Sequence, residues 1–250
     1  MPKSITDHED FSAVFFAATA FVSFYENITL PSVFPVLKLF DYDIVLATFL
    51  ESYEEMKMSA WIEMIEDEDA NGDLREALNL SRTPHGTVDN VLRVHSLRPN
   101  TMRGHITLYR AALHDEANVL PVWLQETIGS YVSILNGCGY SFENHWSNAK
   151  HLIGNDTRAD KIEESLQRRS PKDVFDGAEL ALLEYTEKLT LSPTKMVEED
   201  VAKIKRFGVS DGEILEANQI IGYFNYVNRC INGLGVTTAG GVIGYYAEAE

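Results

Sequence analysis

The chain has 250 residues, 45% of them hydrophobic, enough for a sizeable core built as one large domain or as one domain with an extension. Its formal net charge of −17 and isoelectric point near 4.8 argue against a nucleic-acid polyanion or an anionic membrane surface as partner. Two cysteines, Cys138 and Cys230, are too few for a disulfide-stapled fold, which makes a reducing cytoplasm the expected compartment.

In chain order, the apolar run Phe11 to Phe24 follows Asp7, Glu9 and Asp10, where a secretory leader needs positive charge, and at 14 residues it falls short of the ~20 that span a bilayer. The aromatic-rich segment from Phe11 to about Trp61 reads as helical, broken near Pro31 and Pro35. Two uses are open for it: a share of the core, or an arm that packs on a second subunit. The acidic run Glu63 to Asp73, with Asn71-Gly72, reads as a solvated helix end and turn. Ser81 to Asp89 reads as a loop, and the boundary between an extension (1–85) and the main domain (86–250) is placed there.

A short helix from Val91 stops at Pro99, and Thr101 is the expected N-cap of the next, through Met102, Ile106, Leu108, Tyr109 and Leu113. Pro121 opens a helix carrying Trp123, Leu124, Ile128, Tyr131, Val132 and Leu135. Glu126 lies among these apolar neighbours, and a solvated surface glutamate is its plain reading. Beyond His145 follow a helix to about Leu152, a polar helix from Thr157 to Ser170, an amphipathic one from Glu179 to Leu191, and another from Glu198 to Phe207. Ser210 and Glu213 have capping-box spacing for a long apolar helix that ends near Gly233, and the Gly-rich tail from Thr237 reads as irregular. No strand series shows alternation or hairpin turns, so the fold class is all-α.

The stretch from Glu126 to His145 organises the functional reading. Asn136-Gly137 marks a turn, which puts Cys138 at the start of a helix. There the positive end of the helix dipole, with a nearby imidazolium, favours a thiolate. Ser141 lies three residues after Cys138 and His145 a further four, so at about 100° per residue a helix sets all three on one face. A buried cysteine acting as a small hydrophobe is the competing reading, and it is the one taken for Cys230. The seven histidines form no ligand cluster by spacing, no Cys-x-x-Cys occurs, and no Gly-rich phosphate loop is present, so neither a metal nor another cofactor is expected.

Glu126, Cys138, Ser141 and His145, spaced by twelve, three and four, resemble the signature Glu-x11-Cys-x2-Cys-x3-His of the alkylhydroperoxidase D family, within the carboxymuconolactone decarboxylase-like superfamily. His95-Ser-Leu-Arg-Pro99, Leu108-Tyr109, Ser133 to Asn136, and Tyr223 to Arg229 running on through Gly233 to Val236 resemble its peroxidase-related branch, so the likeness covers roughly 88–238. The resemblance implies an all-helical bundle assembled as a homo-oligomer and thiol-based reduction of hydroperoxides. By position, Cys138 matches the resolving cysteine, Ser141 the peroxidatic one, His145 the relay histidine and Glu126 the relay carboxylate. Tyr140 stands where a second histidine is often found and is a candidate for contact with substrate.

A hydroxyl at position 141 cannot do the thiol's redox work, which leaves three expectations. In the first, Cys138 alone attacks a small-molecule hydroperoxide, becomes a sulfenic acid and is restored by an external thiol reductant. In the second, Glu126 and His145 do acid–base chemistry on a small organic acid. In the third, catalysis is lost and the chain is an oligomeric binding module. Glu216, twelve residues before Asn228, echoes the spacing of Glu126 and Cys138 and hints at a duplicated helical unit.

Overall fold

The computed structural model describes residues 59–246, all within one compact unit that begins at Glu54. The helical reading of residues 11–58, and the core or interface use attached to it, lies outside the described residues. Among the described residues the secondary structure is entirely helical, as expected: α1 Gly72–Leu80, α2 Asn90–Arg93, α3 Pro99–Leu113, α4 Val122–Leu135, α5 Gly139–Ile153, α6 Asp156–Gln167, α7 Gly177–Leu191, α8 Glu198–Lys205 and α9 Asp211–Leu234. No described helix is long and apolar enough to cross a membrane.

Helix α4 is the hub. Ten consecutive residues, Leu124 to Ser133, are buried, so no side of the helix in this stretch faces water. It packs against α3, α5, α6, α7 and α9. A helix buried all round must satisfy its polar side chains internally, and three hydroxyls of α4 do so along its own backbone. Thr127, Ser130 and Ser133 donate their hydroxyls to the carbonyls of Trp123, Glu126 and Gly129, at 2.7, 2.8 and 2.8 Å. Gly129 lets α9 come close: a Cβ there would stand 2.3 Å from the Phe224 ring.

Helix ends follow local chemistry. Helix α3 begins at Pro99, which occupies N1 where its missing N–H costs nothing, and Arg98, not Thr101, is the N-cap. Thr101 turns its hydroxyl back to the Arg98 carbonyl at 2.8 Å. The Ser210–Glu213 capping box forms as read, with Glu213 N–H donating to Ser210 Oγ and Ser210 N–H to Glu213 Oε2. Asn155 caps α6 through Arg158 N–H at 2.9 Å.

Gly72–Leu80 is a helix where the sequence suggested a helix end and a turn; Asn71-Gly72 sits at its start. Leu74, Ala77 and Leu78 bury against Met102 and Ile106 of α3 in a small second core. Trp61 N–H donates to the Leu234 carbonyl at 2.8 Å and Thr237 N–H to the Ser59 carbonyl at 3.0 Å. The Ser81–Asp89 loop therefore lies inside the unit, with residues packed on the bundle to either side of it. After α9 the backbone runs without helix to Tyr246, as the glycines suggested, but it is tied down by specific bonds described below.

Candidate active site

The α4–α5 connection is a tight turn. Gly137 takes the left-handed conformation at φ 62°, Gly137 N–H reaches the Ile134 carbonyl at 3.1 Å, and Cys138 N–H reaches the Ser133 carbonyl at 2.9 Å. Cys138 is the N-cap of α5, as the sequence indicated. An N-cap residue is not yet helical, and at φ −102°, ψ 91° its side chain leaves the face that Ser141 and His145 share. Cys138 is 1% exposed and belongs to the main hydrophobic core. Burial pushes the thiol's pKa up, partly opposed by the Ser141 N–H directed at it. Desolvation of the charged form thus works against the thiolate expected at this helix N-terminus. Cys230, read as a core cysteine, is only half-buried.

Glu126, by contrast, is not a solvated surface carboxylate. It is 1% exposed, and its Oε2 accepts His145 Nδ1–H at 2.6 Å. Its Oε1 accepts the amide of Asn148, one turn beyond His145 on α5, at 3.3 Å. The ring of His145 packs edge-on against Phe224 of α9, with centroids 4.6 Å apart. Its Nε2 has no hydrogen-bond partner among the described residues. A carboxylate on Nδ1 fixes the tautomer with Nε2 unprotonated, holds the ring in place and stabilises the imidazolium formed when Nε2 takes a proton.

His145 opens onto a cavity of about 60 Å³. At about one water per 10–15 Å³ of such space, that admits a molecule of roughly four to six non-hydrogen atoms. Ser141, Tyr140 and Asn144 of α5 line it, as do Tyr109 and His105 of α3, Tyr223 and Val227 of α9, and His85 and Asp89 of the loop before α2. Cys138 is not part of its lining, and neither is any lysine or arginine among the described residues. Ser141 Oγ lies 2.9 Å from Ser133 Oγ, which in turn accepts from Asn228 at 3.3 Å. The Tyr140 hydroxyl accepts Val91 N–H at 3.3 Å.

On the far wall a chain of hydrogen bonds leads outward. The Tyr223 hydroxyl is 3.0 Å from His105 Nε2, His105 Nδ1 is 3.1 Å from His95 Nε2, and His95 Nδ1 is 2.9 Å from Thr101 Oγ1. Because the Thr101 proton is directed to Arg98, the whole chain is satisfied with one polarity: Tyr223 donates to His105, His105 to His95, and His95 to Thr101. Both rings are then neutral. Burial, aided by His95, lowers the His105 pKa to about 3, which keeps that ring uncharged. Burial, and then the neighbouring Glu126, Tyr223 and Asp89 charges, hold the Tyr109 phenol well above its ordinary value.

The C-terminal segment closes one side. Tyr245 N–H donates to Asn148 Oδ1 at 2.6 Å and Gly244 N–H to Asn144 Oδ1 at 3.2 Å, while the Tyr245 ring stacks on His114. Asn148 therefore joins this segment to Glu126. Glu216, in the echo of the Glu126 spacing, does something else: its carboxylate accepts Val119 N–H at 3.0 and 3.1 Å and Leu120 N–H at 2.9 Å, away from the cavity.

The site thus brings together Glu126, His145, Ser141 and Tyr140 and sets Cys138 behind the wall. Sequence reasoning did not single out Asp89, His105, Tyr109, Asn148, Tyr223 or Tyr245. Tyr109 and Tyr223 fall in stretches that carried the family resemblance, and Asn148 lies one turn past His145 on the same helical face. Asp89 and Tyr245 sit in irregular backbone where no periodicity exists to read. No cluster of three or more His, Cys, Asp or Glu among the described residues has the arrangement to hold a metal ion.

The chain was compared with known proteins. No family profile and no curated protein matches it. Solved structures do. An uncharacterized peroxidase-related protein from Ralstonia eutropha JMP134, described as an alkylhydroperoxidase AhpD core, superposes with a TM-score of 0.62 at 19% identity over 72% of this chain and 92% of that one. One from Silicibacter sp. TM1040, also peroxidase-related, gives 0.62 at 19% identity, over 74% and 96%. The debrominase Bmp8 gives 0.58 at 18% identity, over 72% and 91%; a variant of it, solved in complex with 2,3,4-tribromopyrrole, gives 0.59. The likenesses show that this chain has the all-α fold of the alkylhydroperoxidase D core, as the sequence resemblance implied.

Proposed function

We propose that this chain, built on the alkylhydroperoxidase D-like fold, is an enzyme that moves a proton to or from a small organic molecule held in the cavity, with His145 as acid–base and Glu126 as its orienting partner. The observation that carries the reading is the 2.6 Å bond between Glu126 and His145 Nδ1, which leaves the other ring nitrogen to the cavity. The buried carboxylate holds the imidazole in one orientation and one tautomer, with Nε2 as the nitrogen that takes or gives the proton. Tyr109 and Tyr140 hold their protons through burial and are available as hydrogen-bond donors. With no lysine or arginine among the described residues of the wall, the carboxylate of an organic acid meets no such counter-ion there.

A second reading, the thiol-dependent peroxidase, is favoured by the Ser141 N–H directed at the Cys138 sulfur and by the peroxidase-related fold neighbours. In it the thiolate attacks a hydroperoxide, forming an S–O bond and breaking the O–O bond. The alcohol leaves with a proton from His145, and two equivalents of external thiol return the sulfenic acid to the thiol with loss of water. The buried sulfur has first to be uncovered.

Deuterium incorporation separates the two. The full-length protein is incubated in heavy water with a panel of small molecules bearing acidic C–H bonds, and exchange is followed by NMR. The proton-transfer reading requires exchange that is lost in His145→Gln and Glu126→Gln and kept in Cys138→Ala. Exchange that survives His145→Gln, or none across the panel, removes it; thiol-dependent hydroperoxide consumption lost in Cys138→Ala establishes the second.

A further inference from the structure

Asp89 is the loose end of the cavity. Its carboxylate faces the space together with four tyrosine rings, those of Tyr109, Tyr140, Tyr223 and Tyr245. Yet it makes no hydrogen bond and no ion pair with any described residue. Asn90, next to it, is by contrast fully committed, donating to the carbonyls of Thr237 and Ala239 at 2.9 Å each. Asp89 is half-buried, so its carboxylate meets only the water of the cavity and is free to accept from whatever enters it. The positive influence that reaches it comes from the imidazoles His145 and His85, and burial outweighs both. His85 Nε2 is itself buried without a partner.

One other group of the wall is an acceptor as well. The Tyr223 proton is engaged by His105, so the phenol oxygen offers the cavity lone pairs rather than a donor. Four tyrosines line the same space, and aromatic rings attract cations. No described lysine or arginine supplies positive charge to the lining. The net charge of −17 draws cations toward the protein in general, but a matched acceptor inside a tyrosine-lined cavity selects among them.

We infer that the cavity recognises a small organic ammonium ion, with Asp89 as the counter-ion and the Tyr109, Tyr140, Tyr223 and Tyr245 rings and the Tyr223 oxygen completing the site. This names the substrate class of the cavity described above and rests on reading that cavity as the substrate site. The ammonium group sits at Asp89, and a compact alkyl portion of about four carbons fills the remaining space. Binding of the cation supplies the partner that Asp89 lacks in the free protein.

The test compares tert-butylammonium with tert-butyl alcohol, of the same shape and without charge, and with pivalate. Dissociation constants come from ligand-observed NMR on the full chain at pH 7 and 150 mM salt. The expected order is ammonium over alcohol by at least tenfold, with pivalate below detection. In Asp89→Asn the ammonium falls to the level of the alcohol, and the alcohol is unchanged. Val242→Trp, which fills the exposed edge of the cavity wall without altering charge, abolishes binding of both and serves where Asp89→Asn does not fold. No preference for the ammonium in wild type, an equal preference in Asp89→Asn, or ammonium binding that persists in Val242→Trp each overturns the inference. Ammonium preference and proton exchange are read separately on the wild-type protein, so that either can fail without the other. Loss of selectivity with retained proton exchange therefore sinks this inference alone, and the reverse result sinks the reaction alone.

Discussion

Glu126 on α4 and His145 on α5, nineteen residues apart in sequence, are joined Oε2 to Nδ1 at 2.6 Å, and the carboxylate is 1% exposed. A buried ionised group persists where it is paired and hydrogen-bonded, and Asn148 supplies the second bond. Replacing Glu126 by Gln keeps the shape and removes the charge that steadies the imidazolium. Proton-transfer activity is expected to fall on the order of 10²–10⁴-fold, the range of a positioned acid–base group, while the far-ultraviolet dichroism stays that of the wild type. Rate measurements on the exchange-competent substrate check both.

The two thiols differ in access. Cys138 is in the core with a raised pKa, and Cys230 is half-buried on α9. Alkylation of the native protein is expected to label Cys230 first and Cys138 only on unfolding, with a Cys138 rate that keeps rising with pH beyond ~8.5, the ordinary thiol value. Mass spectrometry of timed iodoacetamide reactions decides it. Rapid labelling of Cys138 at pH 7, dependent on His145, would instead restore the thiolate.

Gly129 is where α9 presses onto α4, its missing side chain occupied by the Phe224 ring. Gly129→Ala must displace the Phe224 ring, which already touches His145. A loss of about 1–3 kcal/mol is expected for the overpacked core, together with a drop in activity larger than the stability loss explains at 25 °C. Urea titration and rate measurement on the same samples separate the two effects.

Acid weakens the His105 network in a defined window. His105 titrates near 3 in the folded chain and near ~6.5 unfolded. The unfolded state therefore binds the extra proton first, and the stability that neutral His105 contributes is full above about pH 6.5 and is lost as the pH falls from there toward 3. Burial lowers His95 and His114 in the same direction. The melting temperature of wild type should decline below pH 6.5 more steeply than that of His105→Gln, so that the gap between them narrows with acidification. A constant gap from pH 7 to 4 would show that His105 takes no part in the decline.

The elements most legible in the sequence are those whose signals are local. The Ser210–Glu213 box and the Asn136-Gly137 turn act within four residues, so those helices appear where the local signals announce them. Helix α1 escaped for the same reason in reverse. Leu74, Ala77 and Leu78 make too short an apolar stripe to stand out from an acidic run, and only α3 gives them a surface to bury. The tail from Thr237 reads correctly as irregular, but nothing local says that Asn144 and Asn148 will capture its backbone.

The sequence by itself determined the all-α class and the pairing of candidates in the site, because the spacing of Glu126, Ser141 and His145 is written along two adjacent helices. The tertiary structure decided the chemistry those residues can do. Whether Glu126 is solvated or buried, and whether the Cys138 sulfur meets the cavity or the core, depends on which side of each helix its neighbours cover. The same packing places Asp89, His105, Tyr109 and Tyr223, from three separate segments, around one small space. Desolvation and charge pairing act through space, and the order of residues along the chain does not encode them.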